Sequence, residues 1–242
     1  MIEASDIRLF GKNCILIDWE AEINPAIHKS VLLLEHCIKT QFAKNLIETV
    51  PSYHSLAIYL KSYINARKFI ETIKEELVIT EENFTSSSRL ITIPVCYEDT
   101  VAPDLQAVCA YSDLSTERLI ELHTAPIYKT YFIGFLPGFP YLGGLDPKLE
   151  TPRQGEPREL VPEGSVAIGG KQTGIYPTAS PGGWNIIGRT PVLLFDINRT
   201  EASLLQPGDS VRFRAINKKQ FASIARQVEN GTYLVETEVY HD

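Results

Sequence analysis

Methionine is all but missing from this chain: the one in 242 residues is Met1. A biotinyl carrier centres its lysine between methionines, so no such lysine is present and no biotin is expected. Cysteine is sparse too. Cys14, Cys37, Cys96 and Cys109 are widely spaced and form no C-x-x-C pair, which argues against structural zinc and for buried free thiols. The histidines offer no metal pattern: His28 and His36 lie eight apart and no H-E-x-x-H occurs. There is no G-x-S-x-G elbow and no serine–glycine-rich amidase signature, so no self-contained nucleophile is identified. No apolar run approaches the ~20 residues of a membrane span. The start, MIEASDIRLFG, lacks a basic region leading into an apolar one, and a cytoplasmic chain is expected. Positive charge is also short. Against 30 acidic residues stand 23 Lys and Arg, a net charge of −7, which disfavours nucleic acid and anionic membranes as partners.

What is present describes an ordinary globular protein, 44% hydrophobic and 22% charged. Two halves of different character meet near residues 85–89. In the first, ILIDW (15–19), LIETV (46–50) and HSLAIYL (54–60) read as strands. PAIHKSVLLLEHCIKTQ (25–41) has helical periodicity with Pro25 suited to the first turn. NARKFIETIKEEL (65–77) is an amphipathic helix with Asn65 as its N-cap. With a further strand at RLITIPVCY (89–97), the order suggests a ferredoxin-like split βαβ unit. EENFTSSS (81–88) is polar and serine-rich, a linker. The expected domains are 1–85 and 89–242.

The second half opens with two short helices, APDLQAVCAY with Pro103 in its first turn and STERLIELHT with Ser115 as N-cap. Gly134 to Pro191 then holds 12 of the 15 glycines and 9 of the 15 prolines. Phe132, Phe135, Phe139, Tyr141, Tyr176, Trp184 and Phe195 supply too much apolar surface there for a disordered linker. Short apolar runs between turns, SVAIGG, WNIIG, VLLFDI and SVRFRAI, indicate an all-β barrel or sandwich. In LLQPGDSVRF a Pro-Gly-Asp turn feeds a strand whose Val211 and Phe213 share a face. The whole reads as a two-domain α+β protein.

GSVAIGGKQTG (164–174) imitates a phosphate-cradling loop and is not one. Five residues, where a P-loop has four, separate Gly164 from Gly170. Gln172 stands where Ser or Thr is needed. Pro177 and Pro181 follow, so no helix opens there. The stretch is read as a loop between strands. Its glycine pair 169–170, like the pair 182–183, serves either tight packing or approach of backbone N–H groups to a ligand oxygen. His123, late in its helix, is either a helix-terminal histidine bonding a carbonyl or a proton carrier at the barrel mouth; the macrodipole there favours its charged form. Arg153, Arg158 and Arg189 are either solvated surface or a carboxylate clamp, with Lys171 as a point charge beside them. Tyr176 and Trp184 suit core or pocket wall.

YFIGFLPGFPYLGGL (131–145), TPRQGEPRELVPEGSVAIGGKQTGIYP (151–177) and SPGGWNIIGRTPVLLFD (180–196) resemble the family of the 5-oxoprolinase B subunit, also called PxpB or KipI. That family takes in allophanate hydrolase subunit 1 and the matching half of the carboxyltransferase domain of urea carboxylase. The likeness is dense over residues 92–213 and looser before. It implies a ferredoxin-like N-terminal domain and a cyclophilin-like C-terminal β-barrel. It also implies two partners, a C subunit with a related barrel and an A subunit. The implied reaction is cleavage of 5-oxo-L-proline to L-glutamate with hydrolysis of ATP held by the assembly. On the matching positions, chemistry assigns His123, Lys171 and Gln172 to catalysis and Arg153, Gly170, Tyr176 and Gly183 to substrate binding. Loss of Lys171 is expected to cut turnover severely while sparing the fold. Two other roles stay open: inhibition of a sporulation-type sensor histidine kinase through the loop FLPGFPYLGG, and an allophanate- or urea-related activity.

Overall fold

The computed structural model describes residues 6–80, 84 and 87–241. The chain divides into two compact units, Met1–Ser86 and Ser87–Asp242. The expected linker, 81–88, lies mostly outside the described residues, and Ser87 already opens a strand.

The first unit is built from β1 (Asp6–Leu9), β2 (Cys14–Asp18), α1 (Pro25–Phe42), β3 (Leu46–Pro51), β4 (Ser55–Leu60) and α2 (Ala66–Glu76). Pro25 takes the first turn of α1, and Asn65 caps α2 by accepting from the Lys68 N–H at 3.2 Å. The sheet is antiparallel in the order β1-β2-β4-β3. Ile15 and Ile17 of β2 and Leu56, Ile58 and Leu60 of β4 meet Val31, Leu34 and Ile38 of α1 and Phe69 and Ile73 of α2 in one core. The expected order differs at its end. The strand beside β2 is β1, which precedes it, and the strand following α2 belongs to the second unit. Four residues, each at least partly exposed, leave β1 too short for a periodic signal.

The second unit runs β5 (Ser87–Cys96), α3 (Leu105–Ser112), α4 (Thr116–Thr124), β6 (Ile127–Ile133), β7 (Pro140–Gly143), β8 (Arg158–Val161), β9 (Ser165–Gly169), β10 (Gln172–Ile175), β11 (Ser180–Gly182), β12 (Asn185–Arg189), β13 (Ser210–Ile216), α5 (Lys218–Glu229) and β14 (Thr237–His241). Neighbours β12-β9-β10-β7-β6-β13-β5 form a ring that closes where Arg189 of β12 pairs with Cys96 of β5, giving a seven-stranded barrel. β14 adds to β5 at 87–91, and β8 pairs with β11 in a separate two-stranded sheet.

Alternation along the strands sorts the side chains. Ile91, Ile93 and Val95, Val166 and Ile168, Ile187, and Val211 with Phe213 fill the interior, joined by Leu105 and Val108 of α3 and Leu119 and Leu122 of α4. Ala167 and Ile186 point the other way and join Phe139, Val161, Tyr176 and Trp184 in a second cluster outside the barrel. β9 is thus buried on both faces.

Three sequence-based expectations change here. GSVAIGGKQTG is no loop but a hairpin, β9 and β10 joined by Gly170 and Lys171. VLLFDI forms no strand; Val192 and Leu194 are buried, but the only pairing among these described residues is an isolated bridge from Phe195 to Ser203. Its apolar run reports burial, not a ladder. Pro103 precedes the helix, because Asp104 takes the N-cap position of α3. α5 and β14 come in addition to the expected elements, although Phe221, Ile224, Ala225 and Val228 have helical spacing.

Candidate functional site

Arg153 lies in an irregular segment between β7 and β8, yet it is held in place. The Asn185 side chain donates to the Pro152 carbonyl at 2.8 Å, and the Gln154 N–H donates to the Gly183 carbonyl at 2.8 Å. Between these bonds the Arg153 guanidinium sits 5.6 Å from the centroid of the Trp184 ring, a cation–π distance. The Trp184 ring in turn rests on glycine: a methyl group at Gly169 would lie 2.5 Å from it. Only glycine lets the ring lie flat on β9. Behind Arg153, Arg158 bonds the buried Asp104 carboxylate at 2.5 Å and the Gln154 side chain at 2.9 Å, while Asp104 also accepts from the Ile186 N–H at 2.7 Å. Arg158 is therefore spent on structure, and Arg189 donates to the Glu163 carbonyl. Arg153 has no carboxylate partner among the described residues.

Tyr176 belongs to the same cluster and is buried, with its ring edge-on to Phe139. Burial raises its pKa, and the Trp184 backbone amide and the nearby Arg153 pull it back. It is a neutral wall of the site. Gly183 borders the same face through its contact with Gln154.

The β9–β10 tip approaches from the side. Thr151 and Gly170 exchange backbone bonds, Gly170 N–H to Thr151 carbonyl at 2.8 Å and the reverse at 3.3 Å. This brings the segment leading to Arg153 alongside the turn that carries Lys171. Gly170 has φ +65°, the left-handed geometry glycine adopts freely. Its amide is occupied by Thr151, so the expectation that Gly170 would offer an N–H to substrate is corrected. Lys171 is exposed and, like Arg153, has no carboxylate partner among the described residues. The Gln172 side-chain nitrogen is buried and has no hydrogen-bond partner among them. An unused donor on the hairpin that carries Lys171, bridged to the segment that carries Arg153, is suited to an anionic, oxygen-rich ligand.

His123 does not join this set. It is fully buried inside the barrel, stacked on Phe213 at 4.6 Å between ring centroids. Thr173 donates its hydroxyl proton to the Ala167 carbonyl at 3.0 Å, so it must accept from His123 Nε2–H, also at 3.0 Å. Nδ1 then accepts from the Tyr97 hydroxyl at 2.7 Å. Burial drives the His123 pKa down to about 3 and raises that of Tyr97. The helix macrodipole is worth ~1 kcal/mol toward the charged form, whereas burial shifts the equilibrium by several times that. Burial wins, and the proton-carrier role expected of His123 is corrected to that of a neutral core residue.

An open depression of about 800 Å³ elsewhere on this unit is lined among others by Tyr97, Glu98, Asp99, Gln106, Thr116 and Glu117. None of the expected site residues lines it, and its carboxylates repel anions. Among the described residues no group of His, Cys, Asp and Glu is placed to hold a metal ion, and no helix is long and apolar enough to cross a membrane. All four cysteines are buried and free. Sequence reasoning missed Asn185 and the Asp104–Arg158 pair. Asn185 directly follows Trp184, but its partner lies 33 residues away, and no spacing rule reports such a bond.

The second unit is a closed barrel with Arg153 mounted on its outer aromatic face. Residues 5–205 match the family model of the carboxyltransferase domain, subdomain C and D, and the chain belongs to that family, within it to the group of 5-oxoprolinase B subunits. The 5-oxoprolinase B subunit of Escherichia coli O157:H7 is 41% identical over 209 residues, covering 85% of this chain and 93% of that one. The protein of the same name from Bacillus subtilis (strain 168) is 35% identical, covering 89% and 94%. Among solved structures, TTHA0988 superposes with a TM-score of 0.75 at 32% identity over 88% of this chain. The chain spans 40% of that protein's length.

Proposed function

We propose that this chain is the B subunit of an ATP-dependent 5-oxoprolinase and works with the A and C subunits to open 5-oxo-L-proline to L-glutamate. In this reading residues 1–85 and 89–242 are separate domains. The first is a variant of the ferredoxin-like plan with β1 in the place of the closing strand, and the second is a cyclophilin-like barrel. The observation that carries the reading is Arg153, held over Trp184 with no carboxylate among the described residues to neutralise it.

5-Oxoproline is a small lactam with one carboxylate. Arg153 takes that carboxylate, and Lys171 adds a second positive charge from the hairpin tip. Gln172 donates its unused N–H, the Gly183 amide faces the lactam oxygen, and Tyr176 closes the wall. ATP, bound elsewhere in the assembly, supplies activation of the lactam oxygen, which makes the ring carbon open to attack by water. This chain's part is to fix the lactam for that step.

The test is an ATP-dependent assay on 5-oxo-L-proline with the co-expressed partner subunits, with and without this chain. Turnover is expected only when the chain is present; undiminished turnover without it overturns the reading. A second reading, docking on a sensor histidine kinase, draws support from Phe135, which is 63% exposed with φ +67° at the tip of FLPGFPYLGG. If it holds, the chain lowers kinase autophosphorylation and Phe135→Ala abolishes the effect.

A further inference from the structure

Resting on the anion-site reading of Arg153, we infer that Asn185 is a positioning residue for substrate binding, the anchor of a three-on-three grip that aims Arg153. Gly183, Trp184 and Asn185 run beside Pro152, Arg153 and Gln154, and each member of one triplet holds one member of the other. The Gly183 carbonyl accepts from the Gln154 N–H at 2.8 Å, the Trp184 ring lies under the Arg153 guanidinium at 5.6 Å, and Asn185 Nδ2 donates to the Pro152 carbonyl at 2.8 Å.

The grip acts on a residue with no carboxylate partner among the described residues. Arg153 is exposed and lies outside every strand and helix, in a segment whose neighbours Pro152 and Gly155 are exposed as well. A solvated arginine on a free loop would sample many rotamers and lose their entropy on binding. Here the backbone is tied on both sides of it, and the ring beneath it favours one lay of the side chain. Among the described residues, Asn185 is the one side chain that hydrogen-bonds from one triplet to the other. It is 8% exposed at the start of β12, and the same Nδ2 donates to the Ile168 carbonyl of β9 at 3.2 Å. It therefore ties the Arg153 segment to the barrel wall rather than to another loop. Trp184, its neighbour, is fixed on the same wall by the missing side chain of Gly169. A proline at 152 has no N–H to contribute, so its carbonyl is the only backbone group by which this residue can be held. Aspartate at 185 would present an acceptor to that carbonyl and a negative charge close to the guanidinium.

The experiment uses the assembled enzyme with 5-oxo-L-proline and with 2-pyrrolidone, the same lactam without its carboxylate. Asn185→Ala is expected to raise KM for 5-oxoproline about tenfold with kcat nearly unchanged, the scale on which small misplacement is felt. It should leave the binding of 2-pyrrolidone, read as competition against 5-oxoproline, unaltered. In an Arg153→Ala background, which by itself raises KM for 5-oxoproline about a hundredfold, Asn185→Ala should add nothing. Additive effects, or an equal loss of 2-pyrrolidone binding, overturn the inference while leaving Arg153 as the carboxylate site. An Arg153→Ala enzyme with normal KM overturns the anion-site reading and this inference with it. Should Asn185→Ala fail to fold, Asn185→Asp is read in its place. It keeps the size of the side chain and is expected to raise KM more than alanine would; a normal KM in that variant also overturns the inference.

Discussion

The interior of the barrel around His123 and its outer face around Arg153 are built from similar parts and end in opposite states. Each sets one nitrogen-rich side chain against aromatic rings: His123 against Tyr97, Tyr128 and Phe213, and Arg153 against Trp184. Inside, both ring nitrogens are bonded and burial has removed the charge. Outside, the charge is kept and no carboxylate among the described residues answers it. A satisfied, neutral group specifies a core. An unsatisfied, charged group held in place is ready for a ligand.

The largest effect should come from the interior. His123→Ala empties an aromatic-lined site and orphans the Tyr97 hydroxyl, costing roughly 3–5 kcal/mol of stability; denaturant unfolding measures it. If this variant unfolds like the parent, the core role fails. The same residue makes stability pH-dependent. Its folded pKa of about 3 lies below the ordinary 6.5, so between these values the unfolded chain binds a proton and the native one does not. His123's contribution is complete above pH 6.5 and is lost as pH falls toward 3, by roughly 4–5 kcal/mol. His123→Gln should flatten this part of the acid limb, and an unaltered limb would contradict the assignment.

On the outer face, Arg153→Ala should shift the unfolding midpoint very little, because the residue is exposed, while its binding defect stands. A large loss of stability would mean that Arg153 is structural after all. Smaller effects separate two adjacent glycines. Gly169→Ala pushes a methyl group into Trp184 and should cost about 1–3 kcal/mol, with weaker substrate binding because the platform under Arg153 moves. Gly170→Ala meets nothing within 4 Å and bears only the φ of +65°, so it should cost about 1 kcal/mol with binding intact. Equal penalties, measured by thermal unfolding and KM, would erase the distinction.

Much of the fold is legible in the sequence. Pro25, Asn65 and Ser115 mark helix starts because caps and first turns are local events. Val211 and Phe213 fall on one inward face by simple alternation. The site is legible in part. Arg153, Lys171, Gln172, Tyr176 and Gly183 fall on or beside the outer face, whereas His123 misleads because helix position suggests charge and only burial can deny it. VLLFDI misleads because an apolar run announces that a segment is inside, not what it pairs with.

By itself the sequence determined most of the helices and strands, the barrel-forming texture of residues 134–191 and the family, since each is written in neighbouring residues. Only the tertiary structure decided which histidine nitrogen bears the proton, which arginine is spent on Asp104 and which is left free, and that Gly183–Asn185 grips Pro152–Gln154. Those outcomes depend on partners tens of residues away and on how far water is excluded from each group, and neither quantity exists until the chain has closed on itself.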